Sequence, residues 1–279
     1  MSDDLERPSR DASLDEMLGL SPGGADDGPS WFLAFTSELR ETWSVVTRTL
    51  HFVIRGSPQP GAVATQLYEI GNRSMAFLCV SMGFIGMIFV YQAGIQMKRI
   101  IPEVSQLGST YLELLVRDLA ASICALMLAT RVGAGIAAEI GSMVVTEQVD
   151  ALRMCAADPI DYLVRPRFIA SVIMTTVLTV VAGCVAFGTG MWTASAFFSI
   201  NPRTFADASL VDGADVAVGL AKCLAYGAAI PLISARAGLA ARGGSEGVGS
   251  ATTRAVVNSS LAVIVLNFAI STLGYFLLG

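Results

Sequence analysis

The stretch from Arg131 to Arg167, RVGAGIAAEIGSMVVTEQVDALRMCAADPIDYLVRPR, decides how this chain is organised. It begins inside an apolar run, leaves that run near Met143, and then carries helix-forming residues, charges of both signs and two prolines. We expect a short polar helix at about residues 146–157, ended by Asp158 and Pro159. The pattern predicts a short helix that connects two membrane helices, at a position where a soluble partner could bind and move it.

The composition around this stretch is that of an integral membrane protein. Hydrophobic residues make up 53% of the 279 residues and charged residues 15%, and the mean hydropathy is +0.62. Soluble domains have about 25% charged residues. The formal net charge of -5 comes from residues 1–30, which hold eight acidic and two basic residues. We expect residues 1–30 to be a disordered acidic tail, because they offer few large apolar side chains to bury.

Apolar runs predict an all-α membrane protein with five transmembrane helices. The expected spans cover residues 74–97, 114–140, 168–198, 215–239 and 255–278 within a five-helix domain at 57–279. The loop RGGSEGVGSATTR at 242–254 is expected to be a flexible turn, with the last helix starting at Ser250. Before the spans, apolar residues at 31–56 recur every three or four positions, which predicts an amphipathic helix lying in the membrane interface. An ordinary amphipathic helix packed on protein would give the same pattern.

Loop charge predicts the orientation of the spans, because cytoplasmic loops carry an excess of Lys and Arg. Ten cationic residues lie on the side of the Arg131–Arg167 segment and four on the other side. The amino terminus is therefore expected in the cytoplasm and the carboxyl terminus outside it.

The short polar helix has two faces. Thr146 is its expected N-cap, and the apolar Val149, Leu152 and Ala156 recur on one side of it. A solvated loop helix would show this pattern, and so would a coupling helix whose apolar side inserts into a groove of a soluble ATPase. The candidate coupling residues are Glu147, Gln148, Val149, Asp150, Leu152 and Arg153.

Ionisable residues inside the spans are the second set of candidates, since each is costly in a membrane unless paired or hydrated. Asp118 and Lys222 are expected at similar depth near the outer surface, with Arg117 beside them, so an ion pair between them is possible. A structural pair and a substrate-related polar site both fit. Arg131 and Glu139 lie eight residues apart near the inner end of the second span. We expect them to form a polar clasp that holds the coupling segment to the bundle.

Several kinds of chemistry find no support in the sequence. His51 is the only histidine, and the five cysteines form no CxxC pair, which argues against a metal site and against a His-based catalytic triad. No GxxxxGK[ST] motif occurs, so any ATP and Mg²⁺ are expected on another polypeptide. An ion- or proton-coupled secondary transporter using Asp118, Lys222, Arg131 and Glu139 is the alternative to an ATP-driven machine, although no inverted repeat is visible.

Two long segments, EIGSMVVTEQVDALRMCAADPIDYLVRPR and GSEGVGSATTRAVVNSSLAVIVLNF, closely resemble the MlaE/YrbE family. These proteins are permeases of ABC-type lipid transport systems that work with MCE proteins. The resemblance also covers GFIGM at Gly83 to Met87, VRDLAASICALMLATRVGAGIAAEIG and the Lys222 region, and extends from about Trp31 to Gly279. Asp118 stands where family members commonly have Glu.

The resemblance implies a fold, partners and site residues. It implies an interfacial helix plus five spans in the bacterial inner membrane, a homodimer, two ABC ATPase subunits at the coupling helix, and an MCE hexamer on the outer side. Phospholipid is the implied substrate, with no role for nucleic acid. The expected lipid path is lined by Phe84, Ile88, Tyr91, Arg117, Asp118 and Lys222.

Overall fold

A computed structural model describes residues 45–49, 51–53, 60–100 and 106–278. The predicted acidic tail at 1–30 lies outside the described residues. Of the predicted interfacial helix at 31–56, only residues 45–49 and 51–53 are described, and both pieces are helical. The described part of the chain contains helices and no strands, as expected for an all-α membrane protein.

In the part of the chain that the structure describes, five helical segments are long and apolar enough to cross a membrane. We call them spans 1 to 5, and they cover Gly61–Arg99, Leu107–Val145, Ile160–Phe198, Gly213–Leu239 and Gly244–Leu277. The α-helices within the described residues are α1 Pro60–Ile100, α2 Leu107–Leu114, α3 Ala120–Leu128, α4 Ala134–Val145, α5 Gln148–Met154, α6 Arg165–Phe198, α7 Pro202–Phe205, α8 Gly213–Leu239 and α9 Gly244–Leu278. Span 2 joins α2, α3 and α4 through π-helical turns at Leu115–Leu119 and Ala129–Gly133, and span 3 begins with a third at Ile160–Val164.

The number of spans is as predicted, but their ends are not. Span 1 begins thirteen residues before the predicted start at Ser74, because polar residues such as Glu69 and Arg73 continue the helix beyond the apolar stretch. The last helix begins at Gly244, so the predicted start at Ser250 is wrong. Gly243 and Gly244 take positive φ angles of 86° and 77°, which glycine adopts without steric cost. The chain therefore turns at these two residues, and the helix begins at the second of them.

Spans 1 and 3 form the most extensive helix pair in the bundle. A side chain on Gly86 would meet the backbone carbonyl of Ala186, so the two helices approach closely at this point. Nearby, Thr189 donates from Oγ1 to the Gly83 carbonyl oxygen at 2.9 Å. Leu78, Met82 and other apolar side chains are fully buried along the pair. The result is a tightly packed pair, and spans 2 and 4 both pack against span 3.

Span 4 occupies the centre of the bundle and contacts spans 2, 3 and 5. Half of its most apolar stretch is buried, whereas only 6% of the corresponding stretch of span 5 is buried. Span 5 therefore packs against the bundle on a narrow strip and leaves a broad apolar surface exposed.

Candidate functional site

The two π-helical turns of span 2 carry three of its charged side chains. Arg117 and Asp118 lie in the turn at Leu115–Leu119, and Arg131 lies in the turn at Ala129–Gly133. A π turn inserts one residue into an α-helix and so changes the direction of the side chains around it, and such turns are frequent at functional sites. The π turns thus place Arg117, Asp118 and Arg131 in contact with other spans.

Asp118 and Lys222 form an ion pair between spans 2 and 4. Lys222 donates from Nζ to Asp118 Oδ1 at 2.5 Å, and Ser122 donates from Oγ to the same oxygen at 3.0 Å. The Lys222 side chain is fully buried, while the Asp118 side chain is 42% exposed. Because an unpaired ammonium inside a span is costly, this carboxylate is what stabilises a charged Lys222 there.

Arg117 pairs with a different acid, at the start of span 4. Its Nη1 lies 3.1 Å from Asp215 Oδ1, and the Asp215 side chain is 7% exposed. Asp215 also accepts the backbone N–H of Asp212 and completes a capping box that begins α8. Since Asp215 is held from two sides, it fixes one end of the Arg117 guanidinium, and 38% of the Arg117 side chain remains exposed.

The polar contacts continue from span 4 to span 5. Tyr226 lies one helical turn after Lys222, is fully buried, and donates from its hydroxyl to Asn267 Oδ1 at 3.1 Å. We call the whole set the distal polar cluster, because it lies in the half of the bundle remote from α5. Its members are Arg117, Asp118, Ser122, Asp215, Lys222, Tyr226 and Asn267.

The predicted lipid-path residues of span 1 share one exposed face. Phe84 and Ile88 are each 59% exposed and Tyr91 is 44% exposed, and their spacing of four and three residues places them on one side of α1. Tyr91 contacts the Phe197 ring edge to face, with ring centroids 5.3 Å apart. These side chains present an apolar surface, and their role in lipid passage stays a prediction.

Arg131 and Glu139 contact different helices. Arg131 donates from Nη1 to Ser74 Oγ of span 1 at 2.5 Å, whereas Glu139 forms an ion pair with Arg167 of span 3 at 2.8 Å. Arg167 is almost fully buried and also donates to the Leu163 carbonyl oxygen. The Glu139–Arg167 pair joins spans 2 and 3, which flank the coupling segment. The predicted function of Arg131 and Glu139 as a clasp stays a prediction.

The coupling segment contains a short helix, α5, from Gln148 to Met154. Thr146 is not its N-cap, contrary to prediction, because the Thr146 hydroxyl bonds back to the Ser142 carbonyl oxygen at the end of α4. Glu147 occupies the N-cap position with a left-handed φ of 60°. This tight turn lets α5 fold back against α4 rather than continue it.

The faces of α5 are also not as predicted. Val149 is only 4% exposed and Leu152 is half-buried, so these two side chains of the predicted apolar stripe pack on the chain itself, whereas Ala156, just after α5, is exposed. The exposed face carries Met154, which is 89% exposed, together with Glu147, Gln148, Asp150 and Arg153. Asp150 and Arg153 form an exposed ion pair at 3.0 Å. A partner at this end of the bundle would therefore meet a charged surface with one apolar tip.

Sequence reasoning missed six residues of these polar contacts, which are Ser74, Ser122, Arg167, Asp215, Tyr226 and Asn267. By sequence pattern, Asp215, Asn267 and Ser122 are only parts of apolar spans, and Arg167 is only a loop cation. Asp212 and Asp215 have the spacing of a helix cap, which could have marked Asp215 as an ordered acid. Asn267 gives no local signal, because its partner Tyr226 is forty-one residues away in sequence.

The distal polar cluster is suited to binding a molecule that is part polar and part apolar. No group of three or more metal-ligating side chains occurs among the residues that the structure describes. The cluster instead offers the partly exposed Arg117 guanidinium and Asp118 carboxylate. Arg117 can form charge-assisted hydrogen bonds to an anionic group, while the exposed faces of spans 1 and 5 are apolar.

Comparison with known proteins gives one family. The family model described as Permease MlaE matches residues 63–273. A probable ABC transporter permease protein of Synechocystis is 40% identical over 210 residues, which cover 75% of this chain and 80% of the relative. A probable ABC transporter permease protein of Rickettsia felis is 34% identical over 223 residues, or 79% of this chain and 86% of the relative. Protein TRIGALACTOSYLDIACYLGLYCEROL 1, chloroplastic, of Arabidopsis thaliana is 32% identical over 209 residues, or 74% of this chain and 59% of the relative.

Proposed function

This chain belongs to the MlaE permease family of ABC transporters, and from that membership we propose that it moves phospholipid between the inner membrane and the outer envelope of a bacterium. It is the membrane-spanning permease subunit, and ATP and Mg²⁺ are held by a separate ATPase. An MCE protein on the outer side receives or delivers the lipid.

The observation that carries the lipid proposal is the position of the distal polar cluster beside the exposed apolar face of span 5, where Asn267 of the cluster adjoins the exposed Phe268. A phospholipid needs a polar site for its head group and apolar walls for its acyl chains. The polar site for the head group is supplied by Arg117, Asp118 and Lys222. The apolar walls for the acyl chains include Phe84 and Ile88 of span 1. The name of the Arabidopsis relative is that of a glycerolipid, which supports a lipid substrate here.

The coupling segment supports an ATPase partner on the opposite side of the bundle. Helix α5 is short, exposed on one face, and joined through tight turns to spans 2 and 3. The Glu139–Arg167 pair links those two spans directly. Movement of an ATPase bound at α5 would therefore be passed to both spans together, and we propose one ATPase subunit for each permease.

The exposed face of span 5 supports a dimer of two permease copies. Large apolar side chains on this face of span 5 are more than half exposed. They are Val257, Leu261, Ile264, Val265 and Phe268. We propose that span 5 packs against a second copy and that the lipid is held between the two. The loop charges favour a cytoplasmic location for α5 and the amino terminus and a periplasmic one for the carboxyl terminus.

The test is purification of the full-length protein in mild detergent, with mass spectrometry of co-eluting proteins and retained lipids. We expect a P-loop ATPase, an MCE protein and bound phospholipid. The second part of the test is reconstitution of that complex in vesicles with a fluorescent phospholipid. Lipid movement that does not depend on ATP, or a chain that elutes without an ATPase, would contradict the proposal and favour a secondary transporter.

A further inference from the structure

A polar cavity lies at the end of the bundle near the coupling segment, remote from the distal polar cluster. It has a volume of about 540 Å³ and lies between the first turns of span 1 and the last turns of span 2. We call it the proximal cavity. Its polar lining consists of Gln66, Glu69, Arg73, Arg131, Glu139 and Ser142. Apolar side chains such as Ile70, Val132 and Ile136 complete the wall, so polar and apolar groups share one space.

Regular helix geometry brings the span 1 residues together. Gln66, Glu69, Ile70 and Arg73 follow one another at intervals of three, one and three residues and so lie on one side of α1. On span 2, the π turn at Ala129–Gly133 carries Arg131. The cavity therefore receives one guanidinium from each of two helices.

The two arginines have unused hydrogen-bonding capacity. Arg131 uses one N–H on Ser74 Oγ, out of five that a guanidinium offers. Within the described residues, neither Arg73 nor Arg131 lies within ion-pair distance of a carboxylate. Glu139 is engaged by Arg167, which lies outside the cavity, so Glu69 is the acid of the lining that stays available. Two guanidinium groups and two carboxylates thus face the same space, and Glu69 is the carboxylate of this lining without an ion-pair partner among the described residues.

We propose that the proximal cavity binds the head group of a zwitterionic glycerophospholipid from the cytoplasmic leaflet. The phosphate is bound by Arg73 and Arg131, and the ammonium lies near Glu69. Guanidinium groups bind phosphate through paired, charge-assisted hydrogen bonds. The apolar part of the wall covers the start of the acyl chains, which a free phosphate or a nucleotide would not need. This inference rests on the proposed lipid transport and adds a lipid site in the leaflet opposite the distal polar cluster.

Binding of water-soluble short-chain lipids to the purified full-length protein tests this site. The probes are dihexanoyl phosphatidylethanolamine, dihexanoyl phosphatidylglycerol, dihexanoylglycerol and inorganic phosphate. For Arg73→Gln we expect the dissociation constant of the phosphatidylethanolamine to rise about tenfold, because charge-assisted hydrogen bonds to phosphate are lost. Arg73 is exposed and has no partner within the described residues, so its replacement leaves the fold intact. Arg131→Lys should keep part of the affinity, whereas Arg131→Gln should not.

Two further variants test whether binding depends on the charges of the cavity itself. Arg242→Gln makes the same charge change at an exposed residue outside the cavity and should leave all four dissociation constants unchanged. Glu69→Gln should weaken binding of the phosphatidylethanolamine by about threefold or more and leave the phosphatidylglycerol unaffected, since only the former carries an ammonium group. Equal binding of dihexanoylglycerol, or displacement of the lipid by millimolar inorganic phosphate alone, would overturn the proposal.

The outcome can be separated from that of the permease proposal. Lipid binding is measured without ATP, and the same preparations are assayed for the co-eluting ATPase. If Arg73→Gln binds the phosphatidylethanolamine as the unmodified chain does and the ATPase still co-elutes, the proximal site is wrong and the permease proposal stands. If the ATPase is absent from all preparations, the permease proposal fails independently.

Discussion

Lys222 carries a positive charge into span 4, where its side chain has no exposed surface, and Asp118 is its ion-pair partner. Replacing Lys222 with Met leaves the Asp118 carboxylate beside an apolar side chain. We expect the free energy of unfolding in detergent to fall by about 1–3 kcal/mol, because the Asp118 carboxylate loses its ion-pair partner but remains partly exposed. Denaturant unfolding of the purified protein measures this.

The double variant Lys222→Met with Asp118→Leu distinguishes a structural pair from a lipid site. It removes both charges, so most of the lost stability should return. We expect ATP-driven lipid transport to remain about tenfold or more below that of the unmodified protein, since the charge-assisted contacts to the head group stay absent. If transport returned together with stability, the pair would be structural only.

Gly86 is the second residue whose size matters for the bundle. A Cβ at this position would meet the backbone carbonyl of Ala186, which cannot move without moving span 3. Gly86→Ala should therefore lower the free energy of unfolding by about 1–3 kcal/mol through overpacking. Gly188→Ala in span 3 is the matched control, because nothing lies within 4 Å of a Cβ there. Equal effects of the two substitutions would contradict the close approach.

At the scale of the element, α5 is the part of the chain that we propose contacts an ATPase. Its exposed face combines the charges of Glu147 and Asp150 with the apolar side chain of Met154. We expect Glu147→Lys with Asp150→Lys to abolish the coupling of ATP hydrolysis to lipid transport while the protein still inserts in the membrane. ATPase and transport assays on the same vesicles measure the two activities separately.

The matched control for α5 lies on its buried side. Val149→Ala should lower the stability of the coupling segment by about 1–3 kcal/mol without changing the charge that a partner meets. Unchanged lipid transport in the double Lys variant would refute the coupling function of α5. If Val149→Ala alone uncoupled ATP hydrolysis from transport, then coupling would depend on the packing of α5 on α4 and not on its charged face.

Helix number and order could be predicted from the sequence, whereas the contacts between helices could not. Apolar runs longer than the hydrocarbon core predict spans from local information alone. The π turns that carry Arg117 and Arg131 leave no local pattern, because the inserted residue is stabilised by contacts with other spans. The sequence pattern of α5 likewise predicts an apolar side that is free for a partner. In the structure Val149 on that side is buried, because α5 folds back against α4, and local sequence does not encode this packing.

At the scale of the whole molecule, span 5 presents a broad apolar surface that the rest of the described chain leaves uncovered. One face of span 5 carries large apolar side chains that are all more than half exposed, namely Val257, Leu261, Val265 and Phe268. The lipid bilayer can cover such a face, and so can a second permease copy. Only the second occupant would bring the two copies of span 5 into contact, so the two occupants predict different cross-linking results.

Cysteine cross-linking in native membranes decides between a second copy and lipid on this face. In a background with the exposed Cys155 and Cys184 changed to Ser, Val265→Cys should give a disulfide-linked dimer on mild oxidation. Val177→Cys on span 3 is the control, because Val177 is 45% exposed on a different span and should remain monomeric. Dimers from Val177→Cys but not from Val265→Cys would place the interface elsewhere. With a dimer at span 5, the two distal polar clusters, each including Asn267 of span 5, belong to one central lipid path.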